Sequence, residues 1–208
     1  MEFRVIGISR HRMKTDGAGV TSLVALQGCP LRCKYCINMD ALGSGKFKRL
    51  TTNELVEQVM QDYCYYLATG GGVTFGGGES LMWGSQILEF RDLLPRQVAV
   101  NVETSLNVPF KKLDADRDLL DELLDKLDLF ILDIKTLDDQ IYKDYTGVDC
   151  NYRKRNIQKI VDKGLQNKCK IRIPVIPDFT TMEDAKRDEL TMREKGFENI
   201  EIFEYIIR

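Results

Sequence analysis

Histidine is nearly absent from this sequence: His11 stands alone among 208 residues. Any general base elsewhere would have to be a carboxylate, lysine, tyrosine or cysteine. An excess of positive charge is missing too. The 30 basic side chains are balanced by 32 acidic ones, so no global field exists to hold a phosphate backbone, and nucleic acid is not the expected partner. Nor does any apolar run approach the length that crosses a bilayer. The opening MEFRVIGISRHRMKTDG has neither the apolar stretch nor the small-residue cleavage site of a signal peptide. The expectation is a cytoplasmic protein with no membrane partner, in a compartment that keeps thiols reduced, so that clustered cysteines read as metal ligands or catalysts before disulfides.

What is present is an ordinary globular composition, 43% hydrophobic and 30% charged, on a chain long enough to bury a full core as one domain over residues 1–208. From Thr21 onward β-rich runs alternate with amphipathic helical patterns. The strands are expected at TSLVALQG, GGVTF, VAVNVET, LFILDIK, KCKIRIPVI and NIEIFEYII. Between them lie helices at TTNELVEQVMQDYCYYLA, opened by a Thr51-x-x-Glu54 capping box, then SQILEFRDLL, RDLLDELLDKL, a stretch near Arg153 to Lys163, and MEDAKRDELTMREKG. A short strand FRVIGI leads the series. Such alternation argues for a mainly parallel sheet with helices outside it. Six units fall short of a complete eight-fold barrel of about 250 residues, so the fold class is α/β, an open partial (β/α)6 barrel, with a doubly wound sheet as the alternative.

Polar punctuation follows four successive strands: a cysteine loop, GGGES, ETS and DIK. Ligands in parallel α/β folds bind at the C-terminal ends of strands, so these four segments are expected to serve one site. The loop QGCPLRCKYCIN holds Cys29, Cys33 and Cys36, three of the six cysteines in the chain. A structural zinc site wants four Cys or His ligands; Cys64, Cys150 and Cys169 stand apart, and His11 lies at no zinc-ligand spacing. A bacterial ferredoxin run needs four ligands at another spacing. Three thiolates can hold three irons of a four-iron, four-sulfur cluster and leave the fourth iron open to a ligand. Three loop cysteines of no consequence are the bland alternative.

Cys29-x3-Cys33-x2-Cys36, with Tyr35 before the last cysteine, resembles the signature of radical S-adenosylmethionine enzymes. The segments TDGAGVTSLVALQGCPLRCKYCINMD, GGGVTFGGGES, VNVETS, FILDIKTLDDQIYKDYTGV and KIRIPVIPDFTT resemble, in order, those of the pyruvate formate-lyase activating enzymes, from about Thr15 onward. The resemblance implies a partial barrel of the radical SAM type. It implies a [4Fe-4S] cluster on Cys29, Cys33 and Cys36, whose open iron binds S-adenosylmethionine. Reductive cleavage would then give methionine and a 5′-deoxyadenosyl radical. Implied partners are a glycyl radical enzyme, which loses a glycine hydrogen atom, and an electron donor of flavodoxin or ferredoxin type.

GGGES lacks the spacing of a dinucleotide fingerprint and by itself is a flexible turn. The resemblance makes Gly77 and Gly78 backbone contacts of the cofactor and sets Glu79 near its amino group. Asp133 and Lys135, two apart on a strand, share a face. By resemblance, Lys135 would pair with the cofactor carboxylate, and Asp133 would lie near its ribose or a bound monovalent cation. Glu103 holds the corresponding place one strand away, where relatives often carry Asp. Arg172 shares a strand face with Pro174 and is a further candidate for the cavity, as is Tyr35 in the cysteine loop. Leu119, Leu120, Leu123, Leu124 and Leu127 recur at helical spacing and should be core, and Cys64 reads as a buried small hydrophobe. GSGK at Gly43 to Lys46 lacks the pattern of a phosphate loop.

The sequence departs from that pattern in places. Relatives follow the last strand with a Pro-Tyr-His-like segment whose His contacts the cofactor; here the sequence reads FEYIIR, with Ile206 in line with that His. The connection Ile37 to Leu50 is too short for a ferredoxin-like insert. The rival readings are a radical enzyme acting on a small molecule or peptide, a non-catalytic iron–sulfur carrier or sensor, and a structural zinc protein.

Overall fold

The computed structural model describes residues 1–43 and 45–207; Ser44, within the discounted GSGK, and Arg208 lie outside the described residues, and Asp40 and Ala41 are described by backbone alone. The chain is described as two compact units. The first comprises Met1–Cys29, Asp40–Glu103 and Phe110–Phe130, and the second Pro30–Met39, Thr104–Pro109 and Ile131–Arg208.

In the first unit β1 (Glu2–Met13) runs antiparallel to both β2 (Val20–Leu26) and β3 (Lys48–Thr51). β2 pairs in parallel with β4 (Gly72–Gly77), and β4 with β5 (Ala99–Thr104). β4 is buried from Gly72 to Gly76 without alternation, as expected of a parallel strand covered on both faces. β6 (Leu129–Asp133) starts here. The Asp128 amide donates to Val100 O at 3.0 Å, while the Asp128 carboxylate accepts from Val100 N at 2.8 Å. The strand order is β3-β1-β2-β4-β5-β6. α2 (Thr52–Val59) begins at the expected capping box, with the Thr51 and Glu54 side chains each taking the other's backbone N–H. In α5 (Leu119–Lys126) the face of Leu120, Leu123 and Leu124 is buried, as is Leu127 beyond its end; Leu119 is half-buried.

The second unit continues with the end of β6, then β7 (Cys169–Val175) and β8 (Ile200–Glu204), the last two parallel. Its helices are α6 (Asp139–Thr146), α7 (Asn151–Asp162) and α8 (Met182–Glu194). Among the described residues the other α-helices are α1 (Met39–Gly43), α3 (Tyr63–Thr69) and α4 (Gly84–Leu93).

Several features differ from, or add to, what the sequence predicts. The helix expected over Thr51 to Ala68 breaks into α2, a 3-10 turn at Met60–Asp62 and α3. At the break Asp62 is fully buried and accepts hydrogen bonds from Arg10 Nε at 2.7 Å and Ser22 Oγ at 3.1 Å, with His11 Nε2 2.9 Å away. Arg10, the first of these partners, holds its carboxyl below the usual range. β1 is twice the expected length, because it pairs on both edges. The connection Ile37 to Leu50 contains α1 and β3. Cys64 is exposed rather than buried, while Tyr66, two residues on, takes the core position.

Candidate functional site

In the first unit three strand ends carry the expected residues. β2 leads through Gly28, at φ +97°, to the half-buried Cys29. The turn after β4 packs against this segment: Gly78 N donates to Leu26 O and Glu79 N to Gly28 O, both at 2.9 Å. Gly77 sits at φ +86°, and a β-carbon there would stand 2.8 Å from the Ala25 β-carbon. These glycines are thus required by the chain's own backbone, and the Gly78 N–H already has its acceptor. Glu79 is buried, 2% exposed, and its Oε1 accepts from Leu81 N at 3.2 Å, capping a short 3-10 turn. On β5 the Glu103 carbonyl accepts from Ser80 Oγ at 2.7 Å, and its half-buried carboxylate occupies the space a side chain on Gly76 would need. Trp83 Nε1 donates to Gln27 O at 2.9 Å and fixes the start of the cysteine loop.

In the second unit Cys33 and Cys36 lie in one tight turn, with Cys36 N donating to Cys33 O at 3.2 Å. Both are half-buried thiols outside any disulfide. The loop is fastened to the end of α6 by Arg32 N to Thr146 O, 2.8 Å, and Lys34 N to Tyr145 O, 3.1 Å. The Lys135 ammonium, its side chain 13% exposed, is ion-paired with Asp133. Burial opposes its charge, but Asp133 and then the Cys33 sulfur outweigh that, and its pKa is raised. The resulting cation sits beside the Cys33 sulfur. Arg172, half-buried, lies with its guanidinium 4.9 Å from the Phe203 ring centroid.

Around Tyr35 the loop meets residues that no motif marks. Tyr35 Oη donates to Asp178 Oδ2 at 2.8 Å, and its ring packs against Tyr145 and Phe179. Tyr205, just past β8, donates its hydroxyl to the Tyr35 carbonyl. Burial above all, then the Cys33 sulfur, pushes the Tyr145 phenol up. Asp178 adopts φ +66°, a left-handed conformation that Asp tolerates better than most residues. Ile206, in line with the expected histidine, is exposed. Only Asp178 had an available cue, as the polar residue after Pro177 in a run of turn formers.

Residues 23–188 match the family model of the radical SAM superfamily. The chain belongs to that superfamily. It is 32% identical over 194 residues to the pyruvate formate-lyase-activating enzyme of Clostridium pasteurianum, covering 92% of this chain and 76% of that one. It is 30% identical to the pyruvate formate-lyase 1-activating enzyme of Escherichia coli K12, covering 91% and 76%. Among solved structures it resembles Streptococcus suis SuiB, with a TM-score of 0.62 at 15% identity over 86% of this chain and 38% of that one. It resembles anSMEcpe with bound AdoMet and a peptide equally well, with a TM-score of 0.62 at 18% identity over 86% and 49%. The chain thus spans less than half of either solved chain. These likenesses establish the fold as the α/β partial barrel of the radical SAM type, and the family supplies the cofactors, a [4Fe-4S] cluster and S-adenosylmethionine.

The donor set suits that cluster. Three reduced, half-buried thiols follow a strand end, one of them next to a buried cation. Among the described residues no three His, Cys, Asp or Glu side chains converge as on a single metal ion. A cubane spreads its ligands over separate irons, so thiolates need not crowd around one point. No helix among the described residues is long and apolar enough to cross a membrane.

Proposed function

We propose that this radical SAM protein is an activating enzyme, which removes a hydrogen atom from a glycine of a partner glycyl radical enzyme. The observation that carries the reading is the 32% identity to a pyruvate formate-lyase-activating enzyme over nearly the whole of this chain.

In this reading residues 1–208 form a single core domain, and Cys29, Cys33 and Cys36 hold the cluster. With S-adenosylmethionine bound, the cluster supplies reductive carbon–sulfur cleavage and the 5′-deoxyadenosyl radical that abstracts hydrogen. The side chains bind and orient. Lys135, kept cationic by Asp133, offers charge to the cofactor carboxylate. Glu79, buried in the turn after β4, offers the opposite charge to the amino group. Gly77 and Gly78 hold that turn close to the cysteine loop. Glu103, Asp133 and Arg172 complete the polar lining, with Asp133 near the ribose or a monovalent cation, and Tyr35 braces the cysteine loop. Abstraction by a radical requires no general base. The reducing electron would come from a flavodoxin or ferredoxin type donor, in an anaerobic cytoplasm.

The test is to mix the reduced, cluster-loaded protein and S-adenosylmethionine with a candidate glycyl radical enzyme and record its paramagnetic resonance. A persistent organic radical that is lost when the partner's radical glycine is replaced by alanine supports the reading. Cofactor cleavage without any radical on a panel of such partners contradicts it.

A further inference from the structure

Tyr205 lies outside every strand and helix, yet its side chain reaches back 170 positions to the cysteine loop, where its hydroxyl donates to the Tyr35 carbonyl. That carbonyl belongs to the peptide linking Tyr35 to Cys36. The N–H of the same peptide donates to Cys33 O at 3.2 Å. The peptide plane is therefore held at both its polar ends, one by the turn and one by Tyr205, and it carries Cys36 directly. Tyr35 is also held through its side chain, by Asp178 at 2.8 Å and by the rings of Tyr145 and Phe179. Rotation of this peptide would redirect the Cys36 side chain.

We propose that Tyr205 is a positioning residue for the cysteine pair Cys33 and Cys36: its hydroxyl fixes the Tyr35–Cys36 peptide and so sets the direction of the Cys36 sulfur. The inference rests on the reading of these cysteines as cluster ligands. It assigns a role to the segment beyond β8, which ties the second unit's last strand to its cysteine turn. The role belongs to the hydroxyl, which also meets the Tyr145 hydroxyl; a phenylalanine ring would fill the same space and lose both contacts. A neutral hydrogen bond of this kind shifts such an equilibrium about fivefold.

The experiment compares three cluster-loaded proteins: the native chain, Tyr205→Phe, and Ile202→Ala, which trims the same strand without touching the hydroxyl. The rate of cluster loss to an iron chelator and the midpoint potential of the cluster are measured for each, with thermal stability recorded alongside. The expected result is chelator loss about fivefold faster in Tyr205→Phe and a displaced midpoint potential. Ile202→Ala should keep the native potential even where its melting temperature falls further. Native chelation rate and potential in Tyr205→Phe overturn the inference, and so do equal changes in both variants, which would mark a general loosening of the strand. Failure of the native chain to take up iron and sulfide would instead remove the ligand assignment on which the inference stands.

Discussion

A β-carbon on Gly78 would overlap the carbonyl oxygen of Gly28, the residue that precedes Cys29. The turn after β4 and the start of the cysteine loop are packed backbone to backbone, with the Gly78 and Glu79 amides both spent on that contact.

Replacing Gly78 by alanine should therefore act on the fold before it acts on any ligand. Overpacking of this size costs about 1–3 kcal/mol, which for a chain of this length lowers the melting temperature by about 3–10 °C. Cluster content after reconstitution should fall with it, since the loop must move to admit the methyl group. Calorimetry checks the first effect and iron analysis the second. A Gly78→Ala protein that melts like the native one would mean that the turn is looser than the packing implies.

Lys135 makes a different kind of prediction, because its charge is maintained by neighbours against burial. Lys135→Met keeps the length of the side chain and removes the cation. If Lys135 meets the cofactor carboxylate, affinity for S-adenosylmethionine in the cluster-loaded protein should fall about tenfold or more, the worth of a charge-assisted hydrogen bond. Titration calorimetry reads this directly, and an unchanged Kd would remove Lys135 from the binding surface.

The buried thiol of Cys169 sets an alkaline limit. Burial pushes its pKa up to about 12, whereas in an unfolded chain it would ionise near about 8.5. The folded state then holds a proton that the unfolded state has lost. Stability from this group is complete below about pH 8.5 and declines as pH rises toward 12. Urea midpoints measured anaerobically at pH 7.5 and at pH 10 should differ for the native protein, and by visibly less for Cys169→Ala. Equal differences in the two proteins would show that another group sets the alkaline slope.

Much of this architecture was legible because it rests on local chemistry. The Thr51–Glu54 capping box, the leucine face of α5 and the parallel pairings of β2 with β4, β4 with β5 and β7 with β8 follow from spacing and pattern. The cysteine loop announced itself by clustering. What stayed hidden depends on partners distant in sequence. Nothing around Asp62 says that Arg10 and Ser22 will draw it into the core and break the helix. α6 went unseen because its buried face is Tyr142, Tyr145 and Thr146 rather than aliphatic residues. GGGES was legible as a turn, but its need for glycine comes from β2 and Gly28. Tyr205 has no pattern at all, and only the folded chain sets its hydroxyl against Tyr35.

The most direct test of the account is anaerobic. The native protein and Cys33→Ala are reconstituted with iron and sulfide, reduced with dithionite and supplied with S-adenosylmethionine, and 5′-deoxyadenosine is quantified. The account predicts 5′-deoxyadenosine and methionine in equal amounts from the native protein and neither above background from Cys33→Ala. An intact cluster in the native protein that yields no 5′-deoxyadenosine would contradict it.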